Sequence, residues 1–168
     1  GSANSAVRSS GSLPPGVIGE YDDNTNTYTI SCTPTLDGTY TFIVTTTGPC
    51  GNVSASQGSI TVNPTPMATI TGTTTVCQGA TAPTVTFSNP MVLPVTVTYT
   101  LNNGVSTTTN SINIAANSTA TVSVSTSTAA TYTYTITSVQ YQATPACANL
   151  VTGQVAIVTV NGNSTLSL

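Results

Sequence analysis

Apolar side chains alternate with hydroxyl side chains along most of this sequence, and the alternation restricts what the chain can fold into. Between residues 95 and 101 every second residue is apolar and each one between is a threonine. The segment 131–137 repeats the pattern with Tyr132, Tyr134 and Ile136. A period of two puts one set of side chains on each face of a strand. Threonine is the commonest residue and fits a pleated surface. We therefore predict an all-β fold.

The segment 67–161 has the strand content of one complete sandwich. Apolar alternation occurs at 68–71, 84–87, 95–101, 112–114, 122–124, 131–137 and 156–161. Asn102-Asn103-Gly104 predicts a tight turn between two of these strands, because Asn-Gly tolerates the positive φ angles of hairpins. About seven short strands without a helical pattern are typical of an immunoglobulin-like antiparallel β-sandwich.

Charged residues make up only 3% of the chain, against about 25% in an ordinary soluble domain. Arg8 is the only base, the acids are Glu20, Asp22, Asp23 and Asp37, and there is no histidine. Nucleic-acid binding requires lysine and arginine to displace counterions, so it is excluded as a function. A hydroxyl nucleophile requires a nearby base, and the residues after Asp37 supply none. We therefore expect no enzymatic activity.

The chain repeats itself. Residues 37–45 parallel 129–137, with Tyr40 and Tyr132 offset by 92 positions, and the closing asparagines Asn63 and Asn161 are offset by 98. A period of about 95 residues is the size of one immunoglobulin-like module. Pro64-Thr65-Pro66 separates the two copies, and prolines favour an extended connection that cannot continue a strand.

These observations divide the chain into tandem modules, the first of them incomplete. The predicted segments are a tag or irregular N-terminal segment at 1–12, the later strands of a first module at 13–63, a proline-rich linker at 64–66, a complete module at 67–161, and the start of a next repeat at 162–168. Gly1-Ser2 is similar to a cloning scar.

Four cysteines are present, and none lies in a CxxC pair or beside a histidine, which argues against a zinc site. An even count in a charge-poor, threonine-rich chain indicates an oxidising compartment and structural disulfides. We predict a Cys77–Cys147 disulfide, because each is the only cysteine in its half of the second module. A Cys32–Cys50 disulfide is also predicted, although consecutive antiparallel strands would separate those two residues. Free buried thiols are the alternative.

An acidic cluster contains Glu20, Asp22, Asp23 and Asn24. Its carboxylates and amides could bind Ca²⁺, which takes six to eight oxygen ligands. The alternative is the turn of a hairpin between 16–21 and 27–32, because Asp and Asn side chains cap turns. Tyrosines could form a sugar-stacking platform or pack inside the sheets. Tyr141, just past its predicted strand, is the best candidate for an exposed ligand contact.

Several segments resemble repeats of the giant gliding-motility adhesins of the Bacteroidota. The residues that carry the resemblance are Val76-Cys77-Gln78-Gly79, the strand at 131–137, Pro145-Ala146-Cys147 and Val158-Thr159-Val160-Asn161. Residues 13–17, 29–35 and 38–42 resemble the immunoglobulin-type repeats of the same proteins. The family repeats usually have glycine where Cys32 stands, and this departure puts the pairing of Cys32 in doubt.

The resemblance implies a cell-surface protein of Gram-negative bacteria that is exported by type IX secretion and carried by the gliding machinery. Its expected partners are neighbouring repeats of the same chain and surface polysaccharide. No apolar run approaches the roughly 18 residues of a membrane span, so membrane insertion is not expected. The alternative is a carbohydrate-binding or spacer module attached to a secreted polysaccharide-degrading enzyme.

Overall fold

The computed structural model describes residues 5–48, 51, 53–144 and 146–163, and every regular element in those ranges is a β-strand. The all-β prediction is confirmed. The chain divides into two compact units, Gly1–Pro64 (unit 1) and Thr65–Leu168 (unit 2). The division falls inside the proposed linker at 64–66. No helix in the described residues is long and apolar enough to cross a membrane.

Unit 1 consists of one three-stranded sheet and one hairpin. Its strands are β1 Ser5–Gly11, β2 Ile18–Asp22, β3 Thr27–Ser31, β4 Gly38–Thr47 and β5 Val53–Val62. The antiparallel sheet has the order β1-β4-β5, while β2 and β3 pair with each other.

The N-terminal segment is not irregular throughout, and that part of the prediction is wrong. β1 runs antiparallel to β4 and buries Ala6, which is 5% exposed. The segment contains only two apolar residues, Ala6 and Val7, and so has too little alternation to identify it as a strand. Its strand is held instead by backbone pairing, which needs no apolar pattern.

Unit 2 is a two-sheet sandwich. Its strands are β6 Thr69–Thr71, β7 Thr74–Cys77, β8 Thr84–Asn89, β9 Val95–Asn102, β10 Thr107–Ile114, β11 Ser118–Ser123, β12 Ala130–Tyr141, β13 Ala148–Leu150 and β14 Val155–Asn161. One sheet has the order β10-β9-β12-β14-β7, with β13 also paired to β12, and the other has the order β11-β8-β6. This is the two-layer arrangement of an immunoglobulin-like sandwich.

The first stretch of unit 2 changes sheets at Gly72. β6 pairs antiparallel with β8 in one sheet, and β7 pairs parallel with the closing strand β14 in the other. Gly72 has a φ of 113°, and a Cβ atom there would lie 2.5 Å from the carbonyl oxygen of Thr84. Only glycine fits that close backbone approach, so the sheet change depends on this residue.

The core of unit 2 forms where the alternating apolar faces of the two sheets meet. Val85 and Phe87 of β8 are fully buried, as are Val97 of β9 and Ile136 of β12. The Phe87 ring lies 4.7 Å from the Tyr99 ring, and the Tyr99 ring lies 6.0 Å from that of Tyr134. The tilted Phe87–Tyr99 contact joins the two sheets, and the Tyr99–Tyr134 contact links neighbouring strands of one sheet at the centre of the sandwich.

The sequence repeat is also a repeat of strand pairing. In unit 1, Tyr40 of β4 is paired with Ile60 of β5, and in unit 2, Tyr132 of β12 is paired with Val158 of β14. The offsets of these two pairs are the 92 and 98 positions seen in the sequence. The second offset is six residues longer than the first, because unit 2 has more residues between the two paired strands than unit 1. In unit 2 the short strand β13 lies between β12 and β14, whereas in unit 1 β5 is the next strand after β4.

Asn89 is a buried polar residue at the end of β8, with 1% of its surface exposed. Its Nδ2 donates hydrogen bonds to the carbonyls of Leu93 and Ala115, each at 2.9 Å. Its Oδ1 accepts one from the backbone N–H of Met91 at 2.9 Å. One amide side chain therefore satisfies three buried or partly buried backbone groups and ties two loops to the strand.

We expect Asn89→Ala to lower the free energy of unfolding of unit 2 by about 2–4 kcal/mol, because it leaves these backbone groups without partners. Urea unfolding of a unit 2 fragment measures the loss. Asn113→Ala is the matched control, since Asn113 is exposed and makes one surface bond to Thr96, and it should cost less than about 1 kcal/mol. Equal losses for both variants would contradict the role of Asn89.

Candidate functional site

The two cysteines of unit 2 do not form the predicted disulfide. Cys77 and Cys147 are both free and exposed. Cys77 pairs with Asn161, beside the start of β12, whereas the carbonyl of Cys147 accepts a hydrogen bond from Tyr141 N at the end of β12. The 12 residues of β12 separate the two ends by about 35 Å, far beyond the roughly 7 Å Cα separation that a disulfide allows. The prediction of this pair is wrong.

We expect both thiols of unit 2 to react with a soluble thiol reagent in the native protein, because both are exposed. Intact-mass measurement of a unit 2 fragment should show two adducts without denaturant. A fragment treated in denaturant gives the total thiol count for comparison. A mass two daltons below that of the reduced fragment, with no adduct in either condition, would show that Cys77 and Cys147 form a disulfide after all.

Cys32 stands at a backbone position that favours glycine. Its φ is 78°, in the left-handed region, and its side chain is exposed beyond the end of β3. An L-residue costs about 1–2 kcal/mol in this conformation. The conformation gives a physical reason for the glycine that the resemblance leads us to expect here. Cys50, the predicted disulfide partner of Cys32, lies outside the described residues, so that pairing stays a prediction.

Replacing Cys32 with glycine should stabilise unit 1 by about 0.5–1 kcal/mol, which is the relief of strain less the added freedom of the unfolded chain. Hydrogen exchange at the β3 and β4 amides of the reduced full chain would report the change. Cys32→Ser is the control, because serine removes the thiol but keeps a side chain at positive φ. A gain in protection for serine equal to that for glycine would show that the thiol, and not the backbone, is responsible.

The acidic cluster has the geometry of a turn. Residues 23–26 connect β2 to β3, and Oδ1 of Asp22 accepts a hydrogen bond from Asn24 N at 2.8 Å. That bond, with a smaller contribution from Thr25, lowers the pKa of the exposed Asp22 carboxyl. Glu20 lies outward on β2, and Asp23 and Asn24 are exposed. The described residues contain no group of three His, Cys, Asp or Glu side chains that could hold a metal ion.

Tyr141 is not an exposed ligand contact, and that prediction is wrong. Its side chain is 1% exposed. The pairing of β12 with β9 shifts by one residue between Ile136 and Ser138, so Thr137 forms a β-bulge. A bulge reverses which side chains face inward, and it directs Val139 and Tyr141 into the core. The adjacent polar residues Thr137 and Ser138, which interrupt the alternation, are the sequence signal of this bulge.

The other tyrosines of unit 2 lie inside the sandwich or at its edge. Tyr99 is 7% exposed and Tyr134 is 2% exposed, whereas Tyr132 is half-buried. Burial raises the pKa of both Tyr99 and Tyr134, and the proximity of Tyr99 adds to the shift at Tyr134. A raised folded-state pKa contributes stability below the unfolded value of about 10 and loses it as the pH rises further.

We predict that the stability of unit 2 is nearly constant between about pH 4 and 8 and falls above about pH 10. Residues 67–161 contain no Asp, Glu, His, Lys or Arg, and the buried tyrosines titrate only at alkaline pH. Thermal melting of a unit 2 fragment tests both parts. A midpoint shift above about 5 °C between pH 4.5 and 7.5, roughly 1 kcal/mol, would contradict the expected pH independence. Moderate salt should have equally little effect.

The β9–β10 loop presents Val105, the most exposed large apolar residue in the part of unit 2 that the structure describes. Residues 103–106 connect the strands, so the turn is longer than the two-residue hairpin that Asn-Gly suggested. Oδ1 of Asn103 accepts hydrogen bonds from the backbone N–H groups of Val105 and Ser106, and Gly104 has a φ of 84°. This bonding leaves the Val105 side chain 95% exposed.

An open cavity of about 520 Å³ lies beside this loop. It is lined by Asn103, Gly104, Val105 and residues 128–132, among them the half-buried Tyr132. A second cavity, of about 570 Å³, lies in unit 1 between β1, the 12–17 loop and the β2–β3 hairpin. Neither lining contains a carboxylate or an imidazole. Hydroxyl and backbone groups line both cavities, the Asn103 amide lines the cavity beside Val105, and Arg8 lines the cavity in unit 1.

No family model matches this chain, and no curated protein sequence matches it significantly.

Proposed function

We propose that the chain is a pair of structural and adhesive repeats from a large cell-surface adhesin that acts in gliding motility and surface attachment. The observation that carries the proposal is the equivalent register of β4 with β5 and of β12 with β14. Two copies of one strand arrangement in a single chain are typical of tandem repeat proteins. The adhesin family, export by type IX secretion and location outside the cell come from the sequence resemblance alone.

The surface chemistry supports a role in a stalk exposed to the environment. Exposed positions of the unit 2 strands are mostly threonine, serine and asparagine, and residues 67–161 carry no charged side chain. Hydroxyl and amide groups stay hydrated without titrating, and salt does not screen them. We assign the chain no catalytic role, because unit 2 supplies neither a general base nor an opposed carboxylate pair.

For contact with polysaccharide we propose the cavity beside Val105. Val105 and the half-buried Tyr132 provide apolar surface, and Asn103 and the flanking threonines provide polar groups. Sugar rings present both apolar faces and hydroxyls, so a mixed lining of this kind fits them better than a charged one. The partners in this proposal are polysaccharide at the cavity and neighbouring repeats along the chain.

A bead-adhesion assay on polysaccharide-coated surfaces tests the contact role. Beads carrying the full chain should adhere, and Val105→Ser combined with Tyr132→Ala should reduce adhesion at least fivefold. Val92→Ser is the matched control, since Val92 is also a loop valine, 72% exposed, and does not line the cavity. Equal adhesion by all three proteins would contradict a contact at Val105. If none of the three proteins adhered, the contact role would be wrong and only the stalk role would remain.

The same cavity is the observation that favours a second function, a carbohydrate-binding or spacer module of a secreted polysaccharide-degrading enzyme. A glycan array separates the two. Strong binding to one soluble oligosaccharide would favour the enzyme-associated module, because such modules direct an enzyme to one substrate. Weak binding that requires many copies on a bead would favour the adhesin.

A further inference from the structure

Two Asn-Gly pairs occur in the chain, Asn103-Gly104 in the β9–β10 loop and Asn161-Gly162 at the end of β14. Asparagine is chemically labile, because the backbone nitrogen of the next residue can attack its side-chain amide. The attack is easiest before glycine, which has no side chain to obstruct it and adopts the widest range of backbone angles. The two pairs share this local chemistry, so any difference in their reactivity comes from the fold.

The first pair lies in a loop that can move without disturbing the sheet. Residues 103–106 belong to no strand, and Gly104 is exposed. A Cβ atom at Gly104 would have no heavy atom within 4 Å, so there is open space beside this part of the backbone. The Gly104 N–H donates to Oδ1 of Asn102 at 2.7 Å, and this exposed bond is the one that the nitrogen must give up before it attacks.

The side-chain oxygen of Asn103 already has the surroundings that the attack requires. Oδ1 accepts hydrogen bonds from the backbone N–H of Val105 at 3.0 Å and from that of Ser106 at 2.8 Å, and the Ser106 hydroxyl lies 3.4 Å away. When a nitrogen adds to Cγ, negative charge develops on Oδ1. Backbone N–H groups aimed at such an oxygen stabilise the tetrahedral intermediate, as in the oxyanion hole of an enzyme.

The second pair is held in a strand. Asn161 is aligned with Cys77 of β7, and its carbonyl accepts a hydrogen bond from Gln78 N at 2.8 Å. Attack by the Gly162 nitrogen on Cγ requires the backbone to leave the extended conformation, and this pairing with β7 must then open. Among the described residues, no N–H or O–H group donates to the Asn161 side chain.

We propose that Asn103 is a site of spontaneous deamidation that the β9–β10 loop promotes. The Gly104 nitrogen loses its proton to hydroxide and bonds to Cγ of Asn103. The bond from Cγ to Nδ2 breaks, so that ammonia leaves and a cyclic imide remains. Water then opens the imide at either of its two carbonyls, which gives aspartate or isoaspartate at position 103. One water is consumed and one ammonia is released for each asparagine, with no oxidation or reduction.

The product places a charge in a module that has none. Residues 67–161 contain no charged side chain, and Asn103 lines the cavity beside Val105. The N–H groups of Val105 and Ser106 bind a carboxylate more strongly than a neutral amide, so they favour the aspartate product. Isoaspartate also adds one methylene group to the backbone of the loop. An effect of this change on polysaccharide contact rests on the proposed function, whereas the reaction itself does not.

The test is incubation of the full chain at about pH 8.5 and 37 °C, followed by peptide mapping with mass spectrometry, in which each deamidation adds about one dalton. We expect Asn103 to react at least tenfold faster than Asn161 in the folded chain. In guanidinium chloride, where only the local sequence matters, the two rates should agree within about threefold. The Asn103→Asp variant provides the standard for the aspartate product in anion-exchange chromatography.

The Val105→Pro variant tests the role of the loop. It removes one of the two N–H donors to Oδ1 of Asn103 and no packed side chain, since Val105 is 95% exposed. We expect the rate at Asn103 to fall at least threefold relative to that at Asn161 in the same molecules. Retained amide protection of β9 and β10 would show that the hairpin still forms. Comparable rates at the two asparagines of the folded chain, or an undiminished rate in Val105→Pro, would overturn the proposal.

Discussion

The apolar contact between the two sheets of unit 2 is the interaction on which the rest of the module depends. Phe87 comes from one sheet, and Tyr99 and Tyr134 come from the other, and these rings meet at the centre of the sandwich. With no ion pair available in residues 67–161, burial of apolar area at about 25 cal/mol per Å² is the main favourable term. Strand register, the sheet change at Gly72 and the bulge at Thr137 all serve to keep those side chains inside.

Side-chain amides and hydroxyls hold the connections of this module in place, a role in which charged residues often take part in other proteins. Besides Asn89, the hydroxyl of Thr126 donates to the carbonyl of Ala80 at 2.6 Å, and Nε2 of Gln142 donates to the carbonyl of Val95 at 2.8 Å. Each bond ties a connection between strands to backbone elsewhere in the sandwich. Neutral hydrogen bonds of this kind do not titrate below alkaline pH, so the loops are held under the same conditions as the core.

Alternation in the sequence was sufficient to predict the fold class, most of the unit 2 strands and the inward face of Tyr132, Tyr134 and Ile136. It failed where a single residue changes the geometry. Because of the bulge at Thr137, Tyr141 faces the core, whereas the sequence predicted that it would lie at the surface. Short strands such as β7 and β13 contain too few residues to show a period. The Cys77–Cys147 prediction failed because counting cysteines carries no information on which end of a strand each one occupies.

Comparison of the two units separates the direction of a side chain from its burial. Phe42 and Tyr134 occupy equivalent positions, and both are buried. The Phe42 ring lies over Gly58 of the neighbouring strand, whereas Tyr134 belongs to the core between the two sheets of unit 2. Val44 and Ile136 are also equivalent, yet only Ile136 is fully buried. Period-two alternation therefore determines which face a residue takes, whereas burial depends on a second layer opposite that face. Repeats that share one alternation pattern can accordingly differ in the apolar area that they bury and therefore in stability.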